Sequence, residues 1–214
     1  GNIPFFQDSD VPVLWIKTGD LHQDIDDSIE SLNWAKKEYS AFHTRLRELL
    51  PQDPILIHQA FAEQGWNKPI GQYEQYLQWQ ESGQRDIIVA EYEGQFAGYL
   101  TIQWESDYLP FRAAGIPEVV DFNVLKKYQR RGMGTLLMDE AERRIAKVSS
   151  QAGIGFGLYE DYGAAQILYI RRGYIPDGQG LVYEGKQPCY GAQVTVDDGL
   201  VLYLLKSLVS PVND

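Results

Sequence analysis

The sequence has little of several residue types on which common kinds of functional site depend. It holds one cysteine and three histidines among 214 residues, which excludes an internal disulfide framework and a cysteine-based zinc cluster, and no metal site is expected. Cys189 lies in a turn-rich stretch with no histidine nearby, so we interpret it as an incidental thiol rather than a nucleophile. Because no apolar run approaches the ~20 residues of a membrane span and no secretory leader is recognisable, we expect a cytoplasmic protein without a membrane contact.

Basic residues are also scarce. Lysine and arginine number 19 against 30 aspartates and glutamates, which gives a formal net charge of -11. Such a surface repels a phosphate backbone, so nucleic acid is not an expected partner. The same charge mildly favours a cationic acceptor such as an amine, although solubility alone is the better explanation of it. Hydrophobic residues make up 44% of the chain, enough for the core of one domain with an added segment.

The hydrophobic pattern predicts an α/β layered domain. We expect an N-terminal arm over residues 1–40, with one short strand and one helix, and the main domain over residues 41–214. In the main domain the order is a strand, two helices, an antiparallel hairpin, and then strand–helix–strand–helix–strand, which contains one βαβ crossover. The predicted strands lie at 45–50, 87–90, 96–104, 118–124, 154–159 and 200–205, and the predicted helices at 54–65, 73–83, 134–148 and 164–172.

The turn between the predicted strand at 118–124 and the helix that begins at Gly134 is the most informative segment. A helix N-terminus offers unpaired backbone N–H groups and a partial positive charge, and Gly132 and Gly134 let the backbone approach an anion. In this otherwise acidic chain, six consecutive positions hold four basic side chains: Lys126, Lys127, Arg130 and Arg131. The segment predicts a phosphate site, but it matches neither a P-loop nor the complete dinucleotide fingerprint Gly-x-Gly-x-x-Gly.

Gln129, Gly132 and Gly134 fill the pattern Gln/Arg-x-x-Gly-x-Gly/Ala between a strand and a long helix. The segment resembles motif A of the GNAT superfamily of N-acyltransferases. The resemblance implies acetyl-CoA as co-substrate and a mixed, mostly antiparallel central sheet with a cofactor-binding βαβ crossover and helices on both faces. It also implies that the backbone of the turn wraps the pyrophosphate and that Val124 meets the pantetheine arm. The implied cofactor contacts are Asn123, Val124, Gln129, Arg130, Arg131, Gly132, Met133, Gly134 and Thr135.

A second segment, residues 165–174, resembles the family's Ala-x-x-Leu-Tyr-x-x-x-Gly-Phe pattern. The resemblance implies that Ala165 contacts the cofactor and that Tyr169 protonates the leaving thiolate. The structural alternative is a helix tyrosine that packs on the sheet. The family often has asparagine seven residues before this tyrosine, whereas this chain has Tyr162.

Direct attack of an amine on a thioester needs a group that removes a proton from the amine. Glu118 lies eleven residues before Gln129, where some family members place a catalytic glutamate, although an exposed residue at the start of a strand is an equal alternative. Asp121 has the opposite strand parity, so we expect it on the other side of the sheet. Together with Trp66 and Tyr108 in the loops, it is a candidate for the acceptor pocket.

The sequence therefore predicts an N-acetyltransferase that acts on a primary amine of a small molecule or a peptide. The alternative is a catalytically silent module that binds or senses acyl-CoA. A nucleotide-binding regulatory domain is disfavoured because its motifs are missing. Dimers are common in the superfamily, so the resemblance allows a homodimer.

Overall fold

The computed structural model describes residues 43–208 together with residues 31, 32 and 34. Ser31, Leu32 and Trp34 are helical. The rest of the predicted N-terminal arm, including its strand, lies outside the described residues, so the division at residue 40 stays a prediction. None of the described helices has the length and apolar character that crossing a bilayer requires.

Residues 43–208 form seven strands and five helices. The strands are β1 (Thr44–Glu48), β2 (Arg85–Tyr92), β3 (Gln95–Gln103), β4 (Glu118–Val124), β5 (Gln151–Gly157), β6 (Ile175–Tyr183) and β7 (Leu200–Ser207). The helices are α1 (Asp53–Ala62), α2 (Ile70–Glu81), α3 (Leu109–Ala114), α4 (Met133–Ile145) and α5 (Gly163–Arg171), and 3₁₀ turns cover Lys126–Tyr128 and Glu160–Tyr162.

All seven strands belong to one sheet, in the order β1-β2-β3-β4-β5-β7-β6. Every neighbouring pair is antiparallel except β4 and β5, which are joined by α4 in the predicted crossover. One core cluster packs α4 and α5 on one face of the sheet, and a second packs α1 and α2 on the other. The predicted fold class is confirmed.

Two elements were not expected from the sequence. The helix α3 lies in a segment that was predicted as a loop; it is six residues long, starts beside Pro110 and ends at Gly115 in the left-handed conformation. The strand β6 lacks an alternating pattern because it forms the sheet edge, where Val182 is its one fully buried residue and the register shifts between Pro176 and Leu181.

Asp53 directly before Pro54 is a sequence pattern that predicts a helix N-cap at Asp53, and this prediction is wrong. Gln52 holds the N-cap position, and Asp53 is the first residue of α1. The Asp53 carboxylate is buried, where it accepts hydrogen bonds from the backbone N–H of Leu50 at 2.7 Å and from the guanidinium of Arg47. It therefore ties the start of α1 to β1 rather than capping the helix.

The strand β4 carries a bulge. Thr101 of β3 pairs with Val120 and Tyr99 pairs with Asn123, so one residue of β3 lies opposite two of β4. Asp121, the first residue of the bulge, has a φ of 50°. The prediction that Asp121 faces away from Glu118 is wrong, because the extra residue interrupts the alternation and turns its carboxylate to the α1–α2 face.

Beyond the bulge, β3 and β4 approach each other closely at Gly98. A Cβ at this position would lie 2.5 Å from the carbonyl oxygen of Asn123 and 2.9 Å from Cα of Val124. Both neighbours are backbone atoms of a central strand and have little room to move. Position 98 of β3 therefore requires glycine, because β4 passes close to it after the bulge.

We expect Gly98→Ala to lower the free energy of unfolding by about 2 kcal/mol or more, because the new methyl group overpacks the β3–β4 contact. Gly71→Ala is the control, since nothing lies within 4 Å of a Cβ at that position in α2; it should leave stability unchanged or raise it by up to about 1 kcal/mol. Urea unfolding measures both. Equal stability of the two variants would contradict the close approach.

Candidate active site

The two parallel strands at the centre of the sheet separate soon after they begin. β4 and β5 pair only through Glu118 with Gly153 and Val119 with Ile154. A wedge opens between them toward their carboxyl ends, and the turn that precedes α4 follows β4 at that same end. Crevices at the carboxyl ends of strands are the usual ligand sites of open α/β sheets.

The turn before α4 has the backbone geometry of an anion site. Gly132, with a φ of 84°, holds the N-cap position of the 13-residue helix. Within residues 43–208, no carbonyl or side chain accepts a hydrogen bond from the backbone N–H groups of residues 132–135. A Cβ at Gly134 would lie 3.2 Å from the ring of Phe122. The first helical turn therefore presents unpaired donors where the backbone alone meets a ligand.

Basic side chains of this turn make cation–π contacts with aromatic rings. Their charged groups lie 5–6 Å from ring centroids: Lys126 at 5.4 Å over Trp66, Lys127 at 5.2 Å over Tyr128 and Arg131 at 5.6 Å over Tyr92. Arg130 is exposed and has a φ of 58°. The rings hold positive charge beside the unpaired N–H groups, which suits a pyrophosphate.

Several other predicted cofactor residues have side chains bonded within the protein. Gln129 donates from Nε2 to the carbonyl of Val124 at 3.0 Å, and Asn123 donates to the carboxylate of Asp121 at 2.7 Å. The Met133 side chain is buried, with its sulfur 3.7 Å from a hydroxyl of β1. At these positions the backbone, rather than the side chain, is left to meet a ligand.

Tyr169 lies on α5 with its ring in the core of the α4–α5 face. It is 4% exposed and contacts the rings of Phe122 and Phe156. Burial, followed by the charge of Tyr162, raises the pKa of the Tyr169 phenol well above its usual range, so the group stays protonated. Its hydroxyl has no hydrogen-bond partner within the part of the chain that the structure describes. Ala165, partly buried, precedes it by one turn.

Tyr162 shows what replaces the asparagine of the family pattern. Its ring lies on β5, only 2.6 Å from where a Cβ at Gly157 would be. Its hydroxyl donates to Asp198 at 3.0 Å, and Tyr159 donates to the same oxygen at 2.5 Å. Tyr162 therefore covers the end of β5 and ties it to the connection before β7, a role that an asparagine is too short to fill.

Glu118 is 8% exposed, which removes the alternative of an exposed strand start. It pairs with Gln103 and faces the same side of the sheet as α1 and α2. Its Oε2 accepts a hydrogen bond from the hydroxyl of Ser106 at 2.5 Å. Burial raises the pKa of the Glu118 carboxyl to about 7, against the Ser106 hydrogen bond, which lowers it; Asp107 adds to the rise and Arg85 opposes it.

Asp121 differs from Glu118 in the number of donors around it. Its carboxylate has about four acceptor positions and receives five donors. Tyr76, Tyr99 and Gln72 donate to Oδ2 at 2.8, 2.5 and 2.8 Å, and Asn123 and Lys68 donate to Oδ1 at 2.7 and 3.3 Å. The carboxylate therefore ties the bulge to α2 and to the residues that precede it.

Nowhere in the described residues do three or more histidine, cysteine, aspartate or glutamate side chains come together as metal ligands would.

The structure does not bring the two aromatic pocket candidates together. Tyr108 stacks face to face on Tyr203 at 3.7 Å, and its hydroxyl donates to Asp177 at 2.8 Å. Trp66 instead stacks on Phe61 at 5.8 Å, beside the phosphate turn. Tyr108 borders Glu118 through Ser106, whose hydroxyl accepts its backbone N–H.

Sequence reasoning missed Ser106 and Tyr203. Ser106 is fully buried, but it lies in a polar loop segment that carries no sign of burial. Tyr203 belongs to a predicted strand, and its parity places it on the side of the sheet opposite Leu202 and Leu204. That parity was the one signal available for Tyr203; Ser106 had none.

Comparison with known protein families supports the sequence resemblance. Residues 83–176, which span β2 to the start of β6, match the family model described as acetyltransferase (GNAT) domain. This range includes Glu118, the phosphate turn and Tyr169. No curated protein gave a significant match.

Solved structures with the same fold include two proteins named as N-acetyltransferases and one that was solved with acetyl-CoA. A chimera of spermidine N-acetyltransferase from Vibrio cholerae and hSSAT aligns with a TM-score of 0.57 at 14% identity, covering 78% of this chain and 96% of that one. The Salmonella typhimurium protein yncA, solved with its cofactor acetyl-CoA, gives 0.55 at 17% identity, with 79% and 96% covered. The Escherichia coli ribosomal-protein-S18-alanine N-acetyltransferase gives 0.55 at 12% identity, with 79% and 97% covered. At these identities the likeness shows a shared fold.

The raised pKa of Glu118 predicts a pH-dependent stability cost. The folded chain holds this proton up to about pH 7, whereas the ordinary pKa is 4.5, so the contribution of Glu118 to stability falls as the pH rises through that window and then levels off. Glu118→Gln removes the buried charge. Its free energy of unfolding should exceed that of the wild type by up to about 3 kcal/mol at pH 8 and by much less at pH 5.

Urea unfolding at both pH values measures this difference. Glu105→Gln is the matched control, because the Glu105 side chain is 80% exposed in the loop that carries Ser106; it should change stability little at either pH. A Glu118→Gln variant with the same stability difference at pH 5 and pH 8 would contradict the buried, proton-binding carboxyl.

Proposed function

We propose that this chain, whose residues 83–176 match the acetyltransferase (GNAT) domain model, is an acyltransferase that moves an acetyl group from acetyl-CoA to a primary amine of a small molecule or a peptide. The observation that carries the proposal is the buried carboxyl of Glu118, with its pKa of about 7, in the short segment where β4 and β5 pair before they separate. A general base works best when its pKa lies near the operating pH.

The donor site of the proposal is the wedge and the turn at its end. The unpaired N–H groups of residues 132–135 and the basic side chains around them would hold the pyrophosphate of acetyl-CoA. The pantetheine arm would lie in the wedge along the backbone of Val124. Arg130, which is exposed, would supply a further positive charge, and Ala165 would line the far side.

The acceptor and the leaving group belong on opposite faces of the sheet. Glu118 faces the α1–α2 side, whereas Tyr169 lies in the core of the α4–α5 side. The wedge between β4 and β5 is where the two faces meet. An acceptor that enters from the Glu118 side would therefore attack a thioester whose sulfur points toward Tyr169.

The proton balance of the step follows from this arrangement. Glu118 takes a proton from the acceptor ammonium, directly or through water, and the freed nitrogen forms a bond to the acetyl carbon. The bond from that carbon to the coenzyme A sulfur breaks, and the Tyr169 hydroxyl gives its proton to the thiolate. The nitrogen then loses its second proton, which returns through solvent to the Tyr169 phenolate, and Glu118 releases its proton to water. The phenol is suited to this task because burial keeps it protonated and its hydroxyl donates to nothing else in the described residues.

The acceptor is a cationic amine in this proposal. Carboxyl groups gather beside the Tyr108–Tyr203 pair, where Glu118, Asp107 and Asp177 all raise the pKa of the Tyr203 phenol after burial. Trp66 and Asp121 would border the other end of the pocket. Two proteins of the same fold are named for transfer to spermidine and to the alanine of a ribosomal protein, so the fold accommodates both small and peptide amines. A cytoplasmic location and a homodimer belong to the same proposal.

The direct test is thiol release from acetyl-CoA with a panel of polyamines, aminoglycosides, amino acids and peptide N-termini. At least one amine should release the thiol, with kcat/KM rising through about pH 7 as Glu118 loses its proton. Glu118→Gln should lower kcat/KM about 10²- to 10⁴-fold at pH 8 and abolish the rise. Glu105→Gln should keep both. Tight acetyl-CoA binding without thiol release for any amine would favour a silent binding module and overturn the proposal.

Tyr169→Phe tests the leaving-group side. We expect kcat to fall about 10²-fold or more with acetyl-CoA affinity unchanged, because the variant removes a proton donor and leaves the ring packing intact. Tyr174→Phe is the matched control: Tyr174 is fully buried in the same cluster, and its hydroxyl lies near Glu142 of α4. Steady-state kinetics and calorimetric binding separate the two effects. Full activity of Tyr169→Phe would exclude the assigned role.

A further inference from the structure

Ser106 is a buried polar residue outside the regular elements. It lies between β3 and α3 and is 0% exposed. Its hydroxyl donates to Oε2 of Glu118 at 2.5 Å and accepts the backbone N–H of Tyr108 at 3.0 Å. Its carbonyl accepts a hydrogen bond from Nε of Arg112 at 2.8 Å. Three hydrogen bonds thus fix a single loop residue against the carboxyl group.

We infer that Ser106 is a positioning residue for the acetyl transfer: its hydroxyl holds one oxygen of Glu118 and leaves the other to take the proton of the acceptor. The inference rests on the proposed function, in which Glu118 is the base. Within the described residues, Oε2 of Glu118 bonds to Ser106, and no side chain donates to Oε1. The carboxyl group therefore has one anchored oxygen and one available oxygen.

The direction of these hydrogen bonds is determined by their donors. A hydroxyl has one proton to donate, and a backbone N–H can only donate. Because Tyr108 already donates to the Ser106 oxygen, the hydroxyl proton points at Glu118. A chain of two hydrogen bonds that run the same way strengthens each member and stabilises the charged form of the carboxyl.

Other charged and titratable groups around Glu118 are few, so the loss of Ser106 is expected to be measurable. Arg85 reaches along the sheet to Gln103, the cross-strand neighbour of Glu118, at 2.6 Å. Asp107 adjoins Ser106, and the phenols of Tyr108 and Tyr203 lie close enough to Glu118 for its charge to raise their pKa. Among these groups, the Ser106 hydroxyl opposes the effect of burial more than Arg85 does.

The test is the titration of Glu118 in Ser106→Ala, measured by ¹³C NMR of glutamate-labelled protein and by the pH profile of kcat/KM. Both should move to higher pH by about one unit, because the charged carboxyl loses a hydrogen bond. Ser106→Thr keeps the hydroxyl and should restore the wild-type midpoint. Thr101→Ala is the matched control: it removes another fully buried hydroxyl beside β4, one that donates to the carbonyl of Val120, and should leave the midpoint unchanged.

A folded Ser106→Ala protein with the wild-type midpoint would overturn the inference, and so would an equal shift in Thr101→Ala. If Ser106→Ala does not fold, Ser106→Cys takes its place; its thiol is a weaker donor, so a smaller upward shift is expected, and no shift would overturn the inference. Failure of the proposed function looks different. In that case no amine would release the thiol, or Glu118→Gln would keep the wild-type pH profile, while the NMR midpoint would still decide whether Ser106 holds the Glu118 carboxyl.

Discussion

Opposite Leu100, β4 carries two residues where β3 carries one, and the site depends on the bulge that results. The extra residue turns Asp121 toward α2 and Phe122 toward α5. The ring of Phe122 lies against the first turn of α4, where a Cβ at position 134 would lie 3.2 Å from it. The bulge thus brings the Asp121 carboxylate to the same face of the sheet as Glu118 and places Phe122 against the donor turn.

The two carboxylates on one face of β4 have different surroundings, and this difference separates their roles. Asp121 is surrounded by five donors, so its lone pairs are committed to holding the bulge. Glu118 is more deeply buried and has one donor from a side chain, Ser106. Burial with a single hydrogen bond favours the neutral form of the Glu118 carboxyl. The surroundings of Glu118 therefore suit proton transfer, whereas those of Asp121 suit a structural role.

The sequence predicted what local pattern determines. The strand, glycine turn and amphipathic helix between Glu118 and Ile145 are contiguous, so their order and the crossover were readable, and the fold class followed. The bulge at Asp121 could not be predicted, because strand parity assumes an unbroken ladder and no feature of a single sequence indicates a positive φ at an aspartate. The edge strand β6 was missed because its residues are mostly exposed. The contact of Ser106 with Glu118 joins two segments that are separated by α3, and only tertiary packing reveals it.

The central claim is that Glu118 carries a proton near neutral pH because the fold buries it beside a single donor. The most direct measurement is the ¹³C NMR titration of its side-chain carboxyl in the labelled wild-type protein, assigned by the signal that is absent from Glu118→Gln. A pKa of about 7 is the predicted result. A carboxyl that titrates at its ordinary value of about 4.5 would contradict the account.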